Sequence, residues 1–237
     1  MAIKQLLATL ALSTLTCAMA QADQLSDVMS KKSLDCGVYA DVPPFSAPDP
    51  VSRELVGMDV DLCKALAKTL GVELQLKPMS VEAQIAEVKM GRVDVIFANL
   101  AYTKTRADQI QFSDPYYIAK ETLVVRAVNA DEPKSFFKDK RISSTKGSTS
   151  EQSIRIAGAN PVTFQDTGSA YMALQQNKVV GLVTNTMTAI KLVNQAGESG
   201  VQLALAKEPM ALEPIGAGMR LGEPAFVHKV NEELASM

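Results

Sequence analysis

Residues 34–97 alternate between two apolar patterns, and this alternation constrains the fold more than any other feature of the sequence. Short aliphatic runs are separated by longer stretches whose apolar positions have helical spacing. We predict strands at 34–39, 72–76 and 93–97, with helices at 57–70 and 81–90, the second capped by Ser80. This β-α-β-α-β order predicts a mainly parallel sheet with helices on its faces.

A second α/β series follows a polar break at 131–134. Before the break, residues 122–127 read as a buried strand, and the loop at 147–151 leads into a helix that ends near Gly158. Strands are predicted at 141–145, 162–164, 179–184 and 201–206, and helices at 169–177, capped by Thr167, and at 186–195.

Two α/β series joined by strand-like crossings indicate two lobes. The last helical pattern, at 223–237, is too short to form a domain, and we expect it to pack on the first lobe. The sequence therefore predicts lobe 1 at 34–119 plus 213–237, lobe 2 at 120–212, and hinge crossings near 118–124 and 207–214.

Residues 1–20 predict export. Lys4, an apolar run and the ending Ala18-Met19-Ala20 are typical of a secretory signal peptide, and we expect cleavage after Ala20. Cys17 leaves a lipoprotein as a weaker alternative. The formal net charge is −2 and no basic cluster is interleaved with aromatic residues, so nucleic acid is not an expected partner.

Export makes Cys36 and Cys63 candidates for a disulfide, although two buried free thiols fit the spacing equally well. The only histidine, His228, lies in a predicted surface helix far along the chain, so no metal site is expected. Asp59 and Asp61 are predicted to stabilise the start of their helix, and Tyr116 and Tyr117 to form core and hinge wall.

The candidate binding residue is Arg106, which follows the strand at 93–97 after a polar stretch of small residues. Ligands of open α/β sheets bind beyond the carboxyl ends of the strands, and a guanidinium presents a planar fork of donors to a carboxylate. A solvated Arg at a helix terminus is the alternative interpretation.

The chain resembles the family 3 solute-binding proteins of bacterial ABC importers over residues 34–237. The resemblance is carried by CGVYADVPPFSAP, the D-x-D-L helix at 59–62, the T-x-x-R-A turn at 103–107, the F-S-x-P-Y-Y segment at 112–117 and the KGSTSEQ loop. It implies an α/β, type II-like periplasmic-binding-protein fold of two lobes, each a mainly parallel sheet flanked by helices, that close on a ligand about a hinge.

The resemblance also implies ligand-binding residues. Arg106 matches the residue that binds the ligand α-carboxylate, assisted by the amides of Ser148 and Thr149. Asn185 stands where relatives usually have an Asp for the ligand ammonium, and Ala101 where many have Ser or Thr. The remaining implied contacts are the carbonyl of Asn99, Val42 and Val81 in place of aromatic residues that stack on the ligand in some relatives, and Tyr39.

The implied function is a periplasmic, monomeric substrate-binding protein without cofactor or metal, which binds an amino acid or related carboxylate and delivers it to an inner-membrane ABC permease. The neutral Asn185 leaves open a carboxylate that lacks an amine. The alternatives are an enzyme of the cyclohexadienyl-dehydratase type, for which Glu213 is the candidate acid, and a sensor ectodomain.

Overall fold

A computed structural model describes residues 23–237; the predicted signal peptide lies outside these residues. The helices are α1 (Gln24–Lys31), α2 (Met58–Leu70), α3 (Gln84–Lys89), α4 (Lys104–Ala107), α5 (Thr149–Ile156), α6 (Thr167–Gln175), α7 (Thr186–Glu198) and α8 (Pro224–Ser236). In this part of the chain, no helix has the length and apolar character needed to cross a bilayer.

The strands divide between two large sheets and a small hairpin. They are β1 (Ser33–Val38), β2 (Ala47–Pro48), β3 (Leu55–Val56), β4 (Glu73–Pro78), β5 (Val95–Ile96), β6 (Gln111–Phe112), β7 (Tyr117–Arg126), β8 (Arg141–Thr145), β9 (Asn160–Phe164), β10 (Gly181–Asn185), β11 (Leu203–Leu205), β12 (Ala211–Ile215) and β13 (Gly218–Met219). The hairpin pairs β2 with β3.

The first sheet has the strand order β4-β1-β5-β13-β6, and we call the part of the molecule built on it lobe 1. Strand β1 lies parallel to both β4 and β5, as the sequence predicts, whereas β13 returns from the C-terminal region and pairs antiparallel with β5 and β6. One face of the sheet packs on α2 and α8 through Leu34, Val38, Leu66 and Phe226. The C-terminal helix therefore packs against the sheet of lobe 1.

The second sheet has the order β11-β7-β10-β8-β9, and the part built on it is lobe 2. Strands β10, β8 and β9 are parallel, while β7 is antiparallel to β10, β11 and β12. A separate apolar core containing Leu174, Leu182 and Leu192 packs α6 and α7 on this sheet. Two sheets with separate cores confirm the predicted two-lobe α/β architecture. The prediction that each sheet is mainly parallel is wrong, because β13 in lobe 1 and β7, β11 and β12 in lobe 2 pair antiparallel and make both sheets mixed.

Several predicted boundaries are wrong for local reasons. The helix predicted at 81–90 covers only Gln84–Lys89, because residues 81–83 form a turn closed by the Ala83 amide on the Ser80 carbonyl, so Ser80 does not cap the helix through its side chain. The cap of α6 is Asp166, which accepts a hydrogen bond from the Ser169 amide, and Thr167 is already helical. The apolar run at 93–97 forms a strand only at Val95–Ile96, where it pairs with both β1 and β13.

Cys36 on β1 and Cys63 on α2 form a disulfide, with a Cα–Cα distance of 6.0 Å. Both residues are fully buried in the lobe 1 core. The sequence left open a disulfide or two free thiols, and the structure shows the disulfide. It joins a central strand to the helix that covers it.

Asp59 has a different role from the one predicted. It is fully buried in the first turn of α2, where its carboxylate accepts hydrogen bonds from the Asn99 amide and from the Tyr116 hydroxyl, each at 2.8 Å. Burial raises the pKa of Asp59 to about 6, although both hydrogen bonds oppose the shift. Asp59 thus connects α2 to the loop after β5 and to the segment that leads into β7. It lies in the first turn of α2, as predicted, and it also accepts hydrogen bonds from two other segments.

We expect replacement of both Cys36 and Cys63 by Ala to lower the free energy of unfolding by about 2–4 kcal/mol, because the bridge restricts the unfolded chain. Guanidinium denaturation with and without dithiothreitol measures the effect. The reductant should destabilise the wild type and leave the double variant unchanged. Two thiols that alkylate in the unfolded, non-reduced wild type would contradict the bridge.

We expect Asp59→Ala to lower the free energy of unfolding by about 2 kcal/mol or more, because two donors lose their acceptor in a buried environment. Urea denaturation of the purified variant measures this loss. Asp61→Ala is the matched control on the same turn, since that side chain is 71% exposed and its replacement should change stability by less than about 0.5 kcal/mol. Equal effects of the two substitutions would contradict the role of Asp59.

Candidate ligand-binding cleft

A cavity between the two lobes collects nearly all of the predicted site residues. Eight of the nine line it, and Ala101 is the exception. The lining residues are Tyr39, Val42, Val81, Gln84, Ala98, Asn99 and Arg106 from lobe 1, Thr145, Ser148, Thr149, Ser150, Thr167, Thr184 and Asn185 from lobe 2, and Glu121 and Glu213 from β7 and β12.

Arg106 is held by main-chain carbonyls of both lobes. Thr103 caps α4 by accepting a hydrogen bond from the Arg106 amide, which places the side chain at the cavity. The guanidinium donates from Nη1 to the Ala101 carbonyl at 2.8 Å and from Nη2 to the Gly147 carbonyl at 3.2 Å. Burial lowers the pKa of Arg106, and Glu213 opposes that shift. The guanidinium is therefore a positioned cleft group, and Ala101 lies behind it as an acceptor.

The N-terminus of α5 faces the same cavity from lobe 2. Ser148 is its N-cap and accepts a hydrogen bond from the Glu151 amide at 3.2 Å. The amides in the first turn of a helix have no intrahelical acceptor, and together with the helix dipole they favour an anion. Thr149 follows, and its hydroxyl donates to Glu213 Oε2 at 2.6 Å. Arg106 and α5 thus bring two sources of positive potential to one cavity.

Asn185 ends β10 and begins α7, and its side chain is largely committed to the protein. Its Oδ1 caps α7 by accepting from the Met187 amide at 2.9 Å, and its Nδ2 lies 3.5 Å from Asn99 Oδ1. The residue is only 2% exposed. The predicted site residue Asn185 is therefore a neutral helix cap.

Further hydrogen bonds join the lobes along the cavity rim. The Tyr39 hydroxyl accepts from the Thr167 amide at 3.1 Å, Asp41 accepts from the Gly168 amide at 2.9 Å, and Thr188 donates to the Pro43 carbonyl at 2.8 Å. Burial raises the pKa of Asp41. The structure therefore shows the lobes in direct contact around the cleft.

Two carboxylates lie at the base of the cleft. The sequence pattern did not identify Glu121, and Glu213 was named only from its position in the chain. Glu121 on β7 and Glu213 on β12 point to one face, because Glu121 pairs with Ala211 and Glu213 with Ala119 in the antiparallel register. Ser150 donates a hydrogen bond to Glu121. Burial, followed by repulsion from Glu213, raises the pKa of Glu121 to about 7, and burial also raises the pKa of Glu213.

A signal for Glu121 exists in the sequence. The strand begins at Tyr117, five residues before the predicted start at 122, and its inward positions alternate through Ala119, Glu121 and Leu123. A charged residue at an inward position of such a strand indicates a buried functional or paired group.

Among residues 23–237, no cluster of three or more His, Cys, Asp or Glu side chains is arranged to hold a metal ion.

Comparisons of the sequence and of the structure with known proteins both find amino-acid-binding proteins. The chain is 28% identical over 221 residues to the ABC transporter glutamine-binding protein GlnH of Bacillus subtilis (strain 168), with 91% of this chain and 80% of that protein covered. It is 26% identical over 217 residues to the L-cystine-binding protein TcyJ of Escherichia coli (strain K12), with 90% and 80% covered. A solved ancestral arginine-binding protein bound to glutamine superposes with a TM-score of 0.80 at 33% identity, with 87% of this chain and 92% of that chain covered.

These relatives are amino-acid-binding proteins, and two of them differ in the amino acid that their names give. Residues 34–237 match the family of bacterial extracellular solute-binding proteins, family 3, over the whole segment that carries the motifs. The chain belongs to the bacterial extracellular solute-binding proteins of family 3.

Proposed function

We propose that this protein is the periplasmic substrate-binding component of an ABC importer, which captures an amino acid between its lobes and delivers it to an inner-membrane permease. The observation that carries the proposal is the position of Arg106 opposite the N-terminus of α5 at one cavity. The glutamine- and cystine-binding relatives support an amino-acid ligand. We further propose export by the signal peptide at 1–20, action as a monomer, and lobes at 34–119 plus 213–237 and at 120–212.

The anchor for the ligand is a carboxylate site. The guanidinium of Arg106 has five N–H donors, of which two bond the Ala101 and Gly147 carbonyls, so others are free for a ligand. Of the two predicted amide donors, Ser148 donates its amide to the Thr145 carbonyl at 3.3 Å, whereas Thr149 begins α5. A carboxylate beside Arg106 would therefore accept from the first-turn amides of Thr149 and Ser150. Each charge-assisted hydrogen bond contributes about 1.5–3 kcal/mol, and three of them supply a large share of the ~8 kcal/mol of micromolar binding.

Binding is coupled to closure because the anchor is divided between the lobes. Arg106 belongs to lobe 1 and α5 to lobe 2, so a ligand bonds both only when the lobes approach each other. Such a ligand has a higher affinity for the closed form and shifts the population toward it. The permease can then distinguish the loaded from the empty protein by shape.

We propose that no chemistry accompanies binding. A dehydratase of the cyclohexadienyl type is the second candidate, and the observation that favours it is Glu213, a cleft acid with a raised pKa beside Thr149. Incubation of the purified protein with prephenate or arogenate, followed by absorbance detection of the aromatic product, separates the two functions. We expect no turnover above the rate of the protein-free reaction.

We expect Arg106→Ala to weaken amino-acid binding by at least about 100-fold, because the carboxylate loses a charged bidentate partner. Isothermal titration calorimetry with L-glutamine and L-arginine measures the affinity of the mature protein. Arg92→Ala is the control, since Arg92 is exposed and pairs with Glu87 away from the cleft. Wild-type affinity in Arg106→Ala would contradict the anchor, provided that circular dichroism shows both variants folded.

A further inference from the structure

Glu121 lies directly across the sheet from Asn185. Asn185 is the neutral residue at the position that the family resemblance associates with an ammonium-binding Asp. Strands β7 and β10 are antiparallel, and Glu121 pairs with Asn185 in their register. Side chains of directly paired residues lie on the same face with Cβ atoms about 4.5–5.5 Å apart. Both residues line the cavity. The negative charge absent from β10 is therefore present one strand away, on the same face.

Glu121 is a buried carboxylate without a cationic partner. It is 4% exposed, and no Lys, Arg or His within 23–237 lies within ion-pair distance of it. An ionised carboxylate is costly to bury unless a cation or several donors compensate it. Its one side-chain donor is the Ser150 hydroxyl. The site therefore has a buried carboxyl group whose ionised form lacks a compensating cation.

The groups around Glu121 do not supply that charge. Glu213 faces it from β12 and is itself acidic, Ser150 faces it from α5, and Asn185 faces it from β10; all three are neutral or negative. Lys120 precedes it on β7 but is exposed on the opposite face. Arg106 on α4 acts on Glu213.

A second feature of the cavity also points to a ligand. Gln84 on α3 lines the same cavity and is 2% exposed, and its Nε2 has no acceptor in the described part of the chain. A buried amide donor without a partner carries a desolvation cost that an incoming acceptor would remove. The cavity therefore holds a buried amide donor without an acceptor on lobe 1, as well as a carboxyl group without a cationic partner at its base.

We propose that Glu121 binds the protonated amino group of the ligand, with Glu213 adding to the negative potential, so that the cleft selects solutes that carry both a carboxylate and an amine. This inference rests on the proposed amino-acid-binding function. Arg106 and α5 bind the carboxylate, Glu121 replaces the missing charge at Asn185, and the Gln84 donor receives an acceptor atom of the solute. An organic acid without an amine would leave Glu121 uncompensated.

The pairing makes affinity depend on pH. Because burial and then repulsion from Glu213 raise the pKa of Glu121 to about 7, its ionised fraction rises about tenfold between pH 6 and pH 8. The ammonium of an amino acid stays protonated over this range, so binding favours ionised Glu121 and expels its proton. Affinity should rise with pH, and binding at pH 7 should release about half a proton.

The experiment compares matched ligands by calorimetry. The probes are L-arginine and 5-guanidinopentanoate, and L-glutamine and 4-carbamoylbutanoate, where the second member of each pair lacks only the α-amine. We expect the wild type to bind at least one amino acid about 30-fold or more tighter than its amine-free counterpart. Glu121→Gln should weaken amino-acid binding about 10- to 100-fold, change the amine-free affinity by less than about threefold, and abolish the pH dependence.

Two further variants test whether affinity is restored by a charge on β10 and whether an exposed acid has any effect. Glu121→Gln combined with Asn185→Asp returns the charge to β10, and we expect it to recover at least about tenfold of the lost affinity. Glu208→Gln is the charge-matched control, because Glu208 is exposed and outside the cleft. Proton release measured on the wild type in buffers of different ionisation enthalpy needs no variant, and it tests the inference even if Glu121→Gln does not fold.

The outcomes separate the inference from the proposed function. Wild-type affinity and pH profile in Glu121→Gln, equal binding of the paired probes, or no proton release at pH 7 would each overturn the role of Glu121 while amino-acid binding stands. A wild type that binds none of the amino acids, or an Arg106→Ala variant with full affinity, would overturn the proposed function itself.

Discussion

The antiparallel pairing of β7 with β12 is the constraint on which the rest of the molecule depends. These strands carry the chain between the two sheets in opposite directions, and five residue pairs join them from Tyr117–Ile215 to Glu121–Ala211. The ladder continues into lobe 1 through the Ala101–Ile215 bridge and the hydrogen bond from the Tyr102 amide to the Pro214 carbonyl. Because both crossings lie side by side, this ladder positions the residues on it, Glu121 and Glu213 among them, at the base of the cleft.

The loops that carry the cleft residues are positioned by buried polar contacts in lobe 1. Asn99 has a left-handed φ of 48°, and its amide is held by Asp59, which also accepts from Tyr116 at the approach to the crossing. One carboxylate thus connects the helix, the loop after β5 and the start of the hinge. Asparagine tolerates this conformation better than most residues, which suits it to the position. The acid at the start of α2 consequently has a structural importance that its place in the helix alone does not indicate.

Burial acts against the charged forms of both the basic and the acidic groups of the cleft. Burial lowers the pKa of Arg106 and raises the pKa of Glu121 and Glu213, so desolvation disfavours the charged form of every ionisable group named at the base of the cleft. The proximity of Arg106 to Glu213 offsets only part of this cost. A ligand with separate positive and negative groups would compensate the buried cation and the buried acids at the same time. Specificity between solutes would then follow from how many buried charges each one leaves unpaired.

The sequence by itself determined the order of elements, the two α/β series and the place of Arg106 at the cleft, because hydrophobic periodicity and short motifs are local properties of the chain. Only the tertiary structure decided which of these elements meet. The disulfide between Cys36 and Cys63, the use of Asp59 by Asn99 and Tyr116, and the pairing of Glu121 with Asn185 join residues 27 to 64 positions apart. Such contacts depend on strand register and on the packing of α2 against its sheet, which no local pattern specifies. For that reason Arg106 could be predicted as a cleft residue, whereas the position of Glu121 across from Asn185 required the fold.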